Sequence, residues 1–390
     1  MMSDGRRPTA AALRHYRFGF VLSTALGNMT RYVTLRKYVE RDEVVEAVWA
    51  PVSHFIEPGS PDPFARWPGI LRDRAIVLSQ ASPVVRQLSS LDGVLIHQFE
   101  VDLLLAARAL LLPEPPRFVS GDDAPALHPD SHPMHPHDRA KPLWRQRLRR
   151  SLDIWRARQA DTLIPFSHWA SDLLLEAGAR PADVHPIHTG LDLDVWRRRP
   201  DRPIDARRAV RFLFVGGEFE RKGGPTLLEA FVARFPADAE LDIVTKSAPR
   251  NLPPSVRVHS DLGPNDPRLR ALYLEADVLV HPTTSDLSGW VVLEGMASSC
   301  PAIVTDVGGV PELVEDGATG SIVPVGDADR LGAAMLDLAR DPVRRKRMGE
   351  RARQRVERHF DAAINVSAIL SIMKGEVDAR RQIRNTARRA

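Results

Sequence analysis

Between His281 and Gly320 the chain reads HPTTSDLSGWVVLEGMASSCPAIVTDVGGVPELVEDGATG, and three of its carboxylates are placed to do chemistry. Asp286 and Glu294 stand eight residues apart across a small-residue turn, and Glu312 follows the Gly308-Gly309 turn. Ser288-Gly289-Trp290-Val291 leads into a helix-forming run. The N–H groups of Gly289, Trp290 and Val291 are therefore expected at a helix start, where they suit phosphate oxygens. Glu294 falls about one turn inside that helix, from where its carboxylate can accept from both hydroxyls of a ribose. Spacing alone supports a second reading equally well, with Glu294 complementing the helix dipole and Asp286 serving as a turn residue.

A second cluster is cationic. The run Phe212–Val215 ends at Gly216-Gly217, and the next loop presents Arg221 and Lys222 just before a helical run from Thr226. Paired glycines let a ligand approach the backbone, and two cations beside a helix N-terminus favour a diphosphate. The glycine spacing matches neither the dinucleotide fingerprint nor a Walker loop, and a Gly-rich turn with surface cations is the plain alternative.

Such groups need strands that end beneath them. Strands are expected at 18–23, 45–50, 75–79, 94–98, 117–120, 162–166 and 184–188 in the first half. In the second half they are expected at 210–215, 241–245, 256–259, 278–281 and 302–305. Helical runs are expected at 101–112, 143–159, 169–177, 226–234, 267–276, 291–298, 331–360 and 362–374. The alternation predicts an α/β protein with parallel sheets flanked by helices. At 390 residues two domains are expected, and the polar stretch 197–208, with two prolines, reads as their linker. The expected division is 1–200, 205–360, and a helix with a basic tail at 361–390 that crosses back to the first domain. Open α/β sheets bind ligands at the C-terminal ends of their strands.

Composition narrows the class. The chain is 43% hydrophobic and 27% charged, as for a soluble globular protein. Its single cysteine, Cys300, excludes an intrachain disulfide and fits a reducing compartment. No apolar run reaches the ~20 residues of a membrane span. Residues 18–26 read as a buried first strand rather than a secretory leader. A cytoplasmic protein is expected, peripheral to the inner face of the membrane if the basic helix 143–158, with Trp144 and Trp155, lies on lipid. The favoured reading packs Leu143, Leu148, Leu152 and Trp155 of that helix on its own domain. Nucleic acid is not an expected partner.

The spacing Asp286-x7-Glu294, with Gly289 between, resembles the Glu-x7-Glu motif of retaining glycosyltransferases of family 4 in glycosyl transferases group 1. The likeness continues through Arg221-Lys222-Gly223, 276–282, Pro301–Val304, Gly308-Gly309-Val310-Pro311-Glu312 and Asp316–Gly320, and it covers nearly all of the second domain. It implies the GT-B architecture, two Rossmann-like α/β domains facing across a cleft, with donor nucleotide on the C-terminal domain and acceptor mainly on the N-terminal one. By this resemblance Gly216, Gly217, Arg221, Lys222, Gly289, Trp290 and Val291 would hold the donor diphosphate and Glu294 the ribose. Asp286 would contact the donor sugar as a catalytic group, with His97 near the sugar. Lys246, Asp261 and Leu262 would shape the base pocket, and Gly27-Asn28 would form a loop near the diphosphate. Asp286 replaces the family's Glu, Leu287 stands where a Gly is usual, and Gly217 stands where many members have Arg.

The implied activity is that of a retaining, hexosyl-type glycosyltransferase. It would need no metal or other cofactor and would use a UDP- or GDP-linked sugar with a glycan, lipid-linked or small-molecule acceptor. The alternatives are a non-catalytic nucleotide-sugar-binding protein and another GT-B enzyme such as a sugar-nucleotide epimerase. Asp192-Leu193-Asp194 has the spelling of a metal clamp but lies at the linker. The histidines at 128, 132, 135 and 137 fit no standard metal spacing, and Asp122-Asp123 upstream reads as acceptor-side. Cys300 reads as packing.

Overall fold

The computed structural model describes residues 15–24, 28–53, 62–67, 69–97, 115–122, 142–200, 208–235, 239–247, 249 and 251–389. The 101–112 helix, Gly27, Asp123 and the histidines at 128, 132, 135 and 137 lie outside the described residues. The chain divides into two compact units, Met1–Phe118 with Leu370–Ala390, and Val119–Ile369. The boundary expected at 200–205 falls inside the second unit.

Two sheets organise the molecule. The first holds β1 (Tyr16–Ser23), β2 (Val45–Val52), β3 (Gly93–His97), β4 (Arg117–Gly121) and β5 (Thr162–Pro165) in the order β2-β1-β3-β4-β5. The second holds β6 (Val210–Val215), β7 (Ala239–Val244), β8 (Val256–His259), β9 (Val278–His281), β10 (Ala302–Thr305) and β11 (Gly320–Val323) in the order β11-β10-β9-β6-β7-β8. β6 pairs in parallel with both β7 and β9. The inner strands β3, β9 and β10 read as near-continuous apolar runs because both faces of a parallel sheet are covered there.

Period-two alternation builds the second core. Phe212 and Phe214 of β6, with Val278 and Val280 of β9, pack on one face of the sheet. Leu213, Val215 and Leu279 pack on the other, under Val292, Leu293 and Met296. Each of these fully buried side chains contributes roughly 1.5–3 kcal/mol, far more than the few tenths that separate helix propensities. Burial therefore fixes where the strands end.

The described helices are α1 (Asn28–Val39), α2 (Gly69–Val85), α3 (Leu143–Gln159), α4 (His168–Glu176), α5 (Gly224–Arg234), α6 (Pro267–Glu275), α7 (Trp290–Ala297), α8 (Ala328–Arg340), α9 (Pro342–His359) and α10 (Ala362–Ala387). Several sequence expectations change. The strand expected at 75–79 lies inside α2, where Ile76, Val77, Ala81 and Val84 are buried at helical spacing. A short apolar run looks alike in either state. The run 184–188 makes only an isolated bridge, Val184 to Leu163.

The single helix expected at 331–360 is two, because Asp341 caps α9 by accepting from Arg344 N and Pro342 opens it. The helix expected at 362–374 continues through the basic tail as α10, to Ala387. Within the first unit it is fastened by Lys374 to Asp42 (2.6 Å), Tyr16 to Asp378 (2.9 Å) and Arg381 to Asp92 (2.7 Å). Helix α1 and strand β11 are additions that the sequence reading lacked. Cys300 is buried as expected, its Sγ against the carbonyls of Tyr273 and Ala276.

Candidate functional site

The second sheet reverses its direction of growth between β6 and β9, since β7 and β8 extend it one way and β10 and β11 the other. Loops leaving two such strands diverge and leave room for a ligand at their carboxyl ends. Gly216, Gly217, Arg221 and Lys222 lie on the loop after β6. Asp286 and Gly289 lie on the loop after β9.

These loops are joined backbone to backbone. Thr284 N donates to Arg221 O (3.0 Å), and Thr284 Oγ1 donates to the same oxygen. Gly223 has φ +77°, and a Cβ there would lie 1.8 Å from Pro282 O, so no other residue fits. The side chains follow. Lys222 Nζ meets Asp286 Oδ2 at 2.6 Å, with each side chain only 15% exposed. Arg221 binds both oxygens of Glu218 and donates Nη1 to Ser285 O at 2.8 Å.

Asp286 is held by four donors. Oδ2 accepts from Lys222 and from His281 Nε2 (2.8 Å), and Oδ1 accepts from the amides of Leu287 (2.9 Å) and Gly289 (3.4 Å). Burial works to raise its pKa, but the Lys222 charge and the His281 bond outweigh it and hold the carboxyl well below the usual range. From the other side Gly308, at φ +56°, lies so close that a Cβ would be 2.2 Å from Asp286 O. Gly309 N donates to Leu287 O at 3.2 Å.

Gly289 caps α7 in the left-handed conformation at φ +55°. Trp290 and Val291 open the helix, half-buried. Glu294 lies one turn further and accepts from the Tyr273 phenol at 2.7 Å. Burial pushes its pKa up to about 7, partly offset by that hydrogen bond. Of the tentative base-pocket residues, Lys246 is exposed after β7, Asp261 is exposed and paired with Arg268 (2.6 Å), and Leu262 packs on the core.

Glu312 sits apart from these groups. Its oxygens accept from the amides of His168 (2.8 Å) and Trp169 (2.7 Å), the first residues of α4, and from His188 Nε2 (2.9 Å). Burial works to raise this carboxyl, and the His188 bond followed by the two amides lowers it on balance.

In the first unit the sheet reverses in the same way between β1 and β3. The structure brings together His97, at the end of β3, and Asn28, at the start of α1: His97 Nε2 lies 3.0 Å from Asn28 Oδ1. His97 Nδ1 contacts Arg31 Nη1. Because a guanidinium can only donate, Nδ1 is the acceptor and Nε2 carries the proton. Both nitrogens of this buried ring are therefore engaged. At the linker, Asp192 Oδ1 accepts from Asp194 N at 3.1 Å, closing its own turn.

Sequence reading missed His281, Tyr273, Glu218 and Arg31. A histidine ending an apolar strand was a visible signal for His281, and the i,i+3 spacing was one for Glu218. Nothing local marks Tyr273, twenty-one residues before Glu294, or Arg31 on an unforeseen helix.

Comparison with known proteins bears on the same half of the chain. Residues 209–341 match the family model described as Glycosyl transferases group 1. This stretch resembles the group 1 glycosyltransferases. The MMP alpha-(1->4)-mannosyltransferase of Mycolicibacterium hassiacum is 30% identical over 215 residues, 52% of this chain and 51% of that one. The chain thus spans about half the length of the curated relatives it matches. Among solved structures, sucrose-phosphate synthase from Thermosynechococcus elongatus superposes with a TM-score of 0.71 at 17% identity, over 94% of this chain and 100% of that one. Anabaena HepE in complex with UDP-glucose gives 0.65 at 17%, over 93% and 100%. At that identity the likeness establishes the fold: two parallel-sheet α/β domains of the GT-B type.

Proposed function

We propose that the chain transfers a sugar from a UDP- or GDP-linked donor to a glycan, lipid-linked or small-molecule acceptor, with retention at the anomeric carbon and no cofactor. The observation that carries this reading is the meeting of Lys222, Arg221, Asp286 and the N-terminus of α7 at the strand-order reversal of the second sheet. A diphosphate leaving group gathers negative charge as the glycosidic bond breaks. Lys222, Arg221 and the amides of Gly289, Trp290 and Val291 offer it preorganised positive charge, with Gly216 packed on the Lys222 stem and Gly217 leaving the backbone open. Glu294 takes the ribose hydroxyls. Asp286 faces the oxocarbenium-like sugar. Lys246, Asp261 and Leu262 border the base. The named relatives, a mannosyltransferase and a protein crystallised with UDP-glucose, support this class of donor.

Calorimetry with UDP and GDP, followed by hydrolysis of a panel of UDP- and GDP-sugars, tests the reading. Lys222→Ala and Glu294→Ala should each weaken nucleotide affinity about tenfold or more. Unchanged affinity in both rejects it. A second reading, binding without catalysis, rests on Asp286 standing where the resemblance puts a Glu, one methylene shorter in its reach toward the sugar. Turnover of any donor by the wild type excludes it.

The proposed setting is cytoplasmic, at the inner face of the membrane. Among the described residues no helix is long and apolar enough to cross a bilayer. Helix α3 leaves Trp144, Leu148 and Trp155 exposed by 61%, 53% and 46%, against the expectation that Leu148 and Trp155 pack inward. Their spacing places them on one face, and a basic helix of this kind suits anionic lipid.

A further inference from the structure

His281 ends β9 with its side chain only 1% exposed. Nε2 lies 2.8 Å from Asp286 Oδ2, while Nδ1 is buried without a hydrogen-bond partner among the described residues. Only one tautomer suits this pairing. A proton on Nδ1 would leave a buried N–H unsatisfied and turn a lone pair toward a carboxylate, so the proton sits on Nε2. Burial lowers the ring's pKa and outweighs the opposing bond and charge of Asp286, with Lys222 and Arg221 lowering it more weakly. The ring is thus a neutral, fixed donor.

Its value becomes clear from what it shares. Oδ2 of Asp286 accepts from His281 and from Lys222 Nζ. Lys222 carries a flexible ammonium with three donors, and it is the cation assigned to the donor diphosphate in the function proposed above. When that ammonium turns to phosphate, Asp286 loses its counter-charge, and the loop amides of Leu287 and Gly289 hold only Oδ1. We propose that His281 is the positioning residue of this site. Its Nε2–H keeps Asp286 Oδ2 aimed and ionised while Lys222 serves the diphosphate. This role rests on reading the second unit as a nucleotide-sugar site, but the His281–Asp286 contact can be examined without any nucleotide.

The charged and titratable groups facing Asp286 are Lys222, His281 and Arg221, with Glu218 behind Arg221. The test uses the full chain as His281→Phe, which keeps a ring and removes the donor, and His281→Gln, whose amide restores one. Carbon-detected NMR should show the Asp286 carboxyl titrating about one unit higher in His281→Phe than in wild type, and near wild type in His281→Gln. With UDP- or GDP-sugar, His281→Phe should lose about tenfold or more in kcat, with the acid limb of its pH profile moved up, and keep UDP affinity within about twofold. His281→Gln should recover most of the loss.

An unmoved Asp286 titration in folded His281→Phe overturns the proposal. So does a His281→Gln variant that is folded yet as slow as His281→Phe. If Asp286 shifts as expected but wild type binds no nucleotide, the positioning contact stands and the donor-site reading fails.

Discussion

The Tyr273 phenol donates to Glu294 Oε2 at 2.7 Å, linking buried Tyr273 of α6 to half-buried Glu294 of α7. Tyr273 is fully buried and its own pKa is raised well above the ordinary value, by burial first and then by Glu294. It is thus a permanent donor. The carboxyl it serves is held near neutrality, at about 7.

The sign of the resulting pH effect is fixed. A carboxyl whose folded pKa is raised contributes stability that is complete below its ordinary value and is lost as pH rises through about 7. Glu294→Gln should therefore gain relative to wild type by up to roughly 3 kcal/mol between pH 4.5 and pH 8. Urea unfolding of both proteins across that range measures it. Parallel pH curves would show that Glu294 does not titrate there.

Glu312 should behave oppositely. Its folded pKa is lowered, so its contribution is present above the ordinary carboxyl value and lost as pH falls through the folded one. Glu312→Ala leaves the first amides of α4 and the His188 ring without their acceptor and should cost about 2 kcal/mol at pH 7. Glu312→Gln, which keeps one acceptor oxygen, should cost less. Equal stability of Glu312→Ala and wild type in denaturant titration would reject the clamp.

Two glycines make a matched pair. Gly308→Ala must place a methyl 2.2 Å from Asp286 O at φ +56°, and should cost about 2 kcal/mol or more. Gly217→Ala meets nothing within 4 Å and should change stability by no more than about 0.5 kcal/mol. Thermal unfolding compares them, and similar melting temperatures would contradict the close approach at Gly308.

Lipid contact through α3 can be read by flotation. The full chain should rise with vesicles of anionic phospholipid and stay behind with neutral ones. Leu148→Ser with Trp155→Ser should lower the bound fraction about tenfold. Equal flotation of variant and wild type would place any contact elsewhere.

Much of the second unit was legible in the sequence. The strands at 210–215, 278–281 and 302–305 agree with β6, β9 and β10 because each is a largely apolar run closed by glycine, proline or a polar turn, and 256–259 agrees with β8 through the alternation Val-Arg-Val-His of an edge strand. The loop positions of Arg221, Lys222 and Asp286 followed directly from those strand ends. The sequence reading went wrong where local pattern is degenerate. Residues 75–79 carry a short apolar run that suits helix or strand, and only the burial of Ala81 and Val84 on the same face decides for α2. Leu148 and Trp155 have the spacing of a packed face, and what covers a face is not written in its own periodicity.

By itself the sequence determined the α/β alternation, the two loops that carry cations and carboxylates, and the likeness to group 1 glycosyltransferases. These follow from residue type and short-range spacing, which the backbone periods of 2 and 3.6 translate directly into place. Only the tertiary structure decided the partners. It set Lys222 and His281 on one oxygen of Asp286, sixty-four and five residues away, and Tyr273 on Glu294. It also carried Glu312 to His188, 124 residues distant. Strand order in the sheet, fixed by burial on both faces, brings such groups together, and that order is a property of the packed core rather than of any local run of residues.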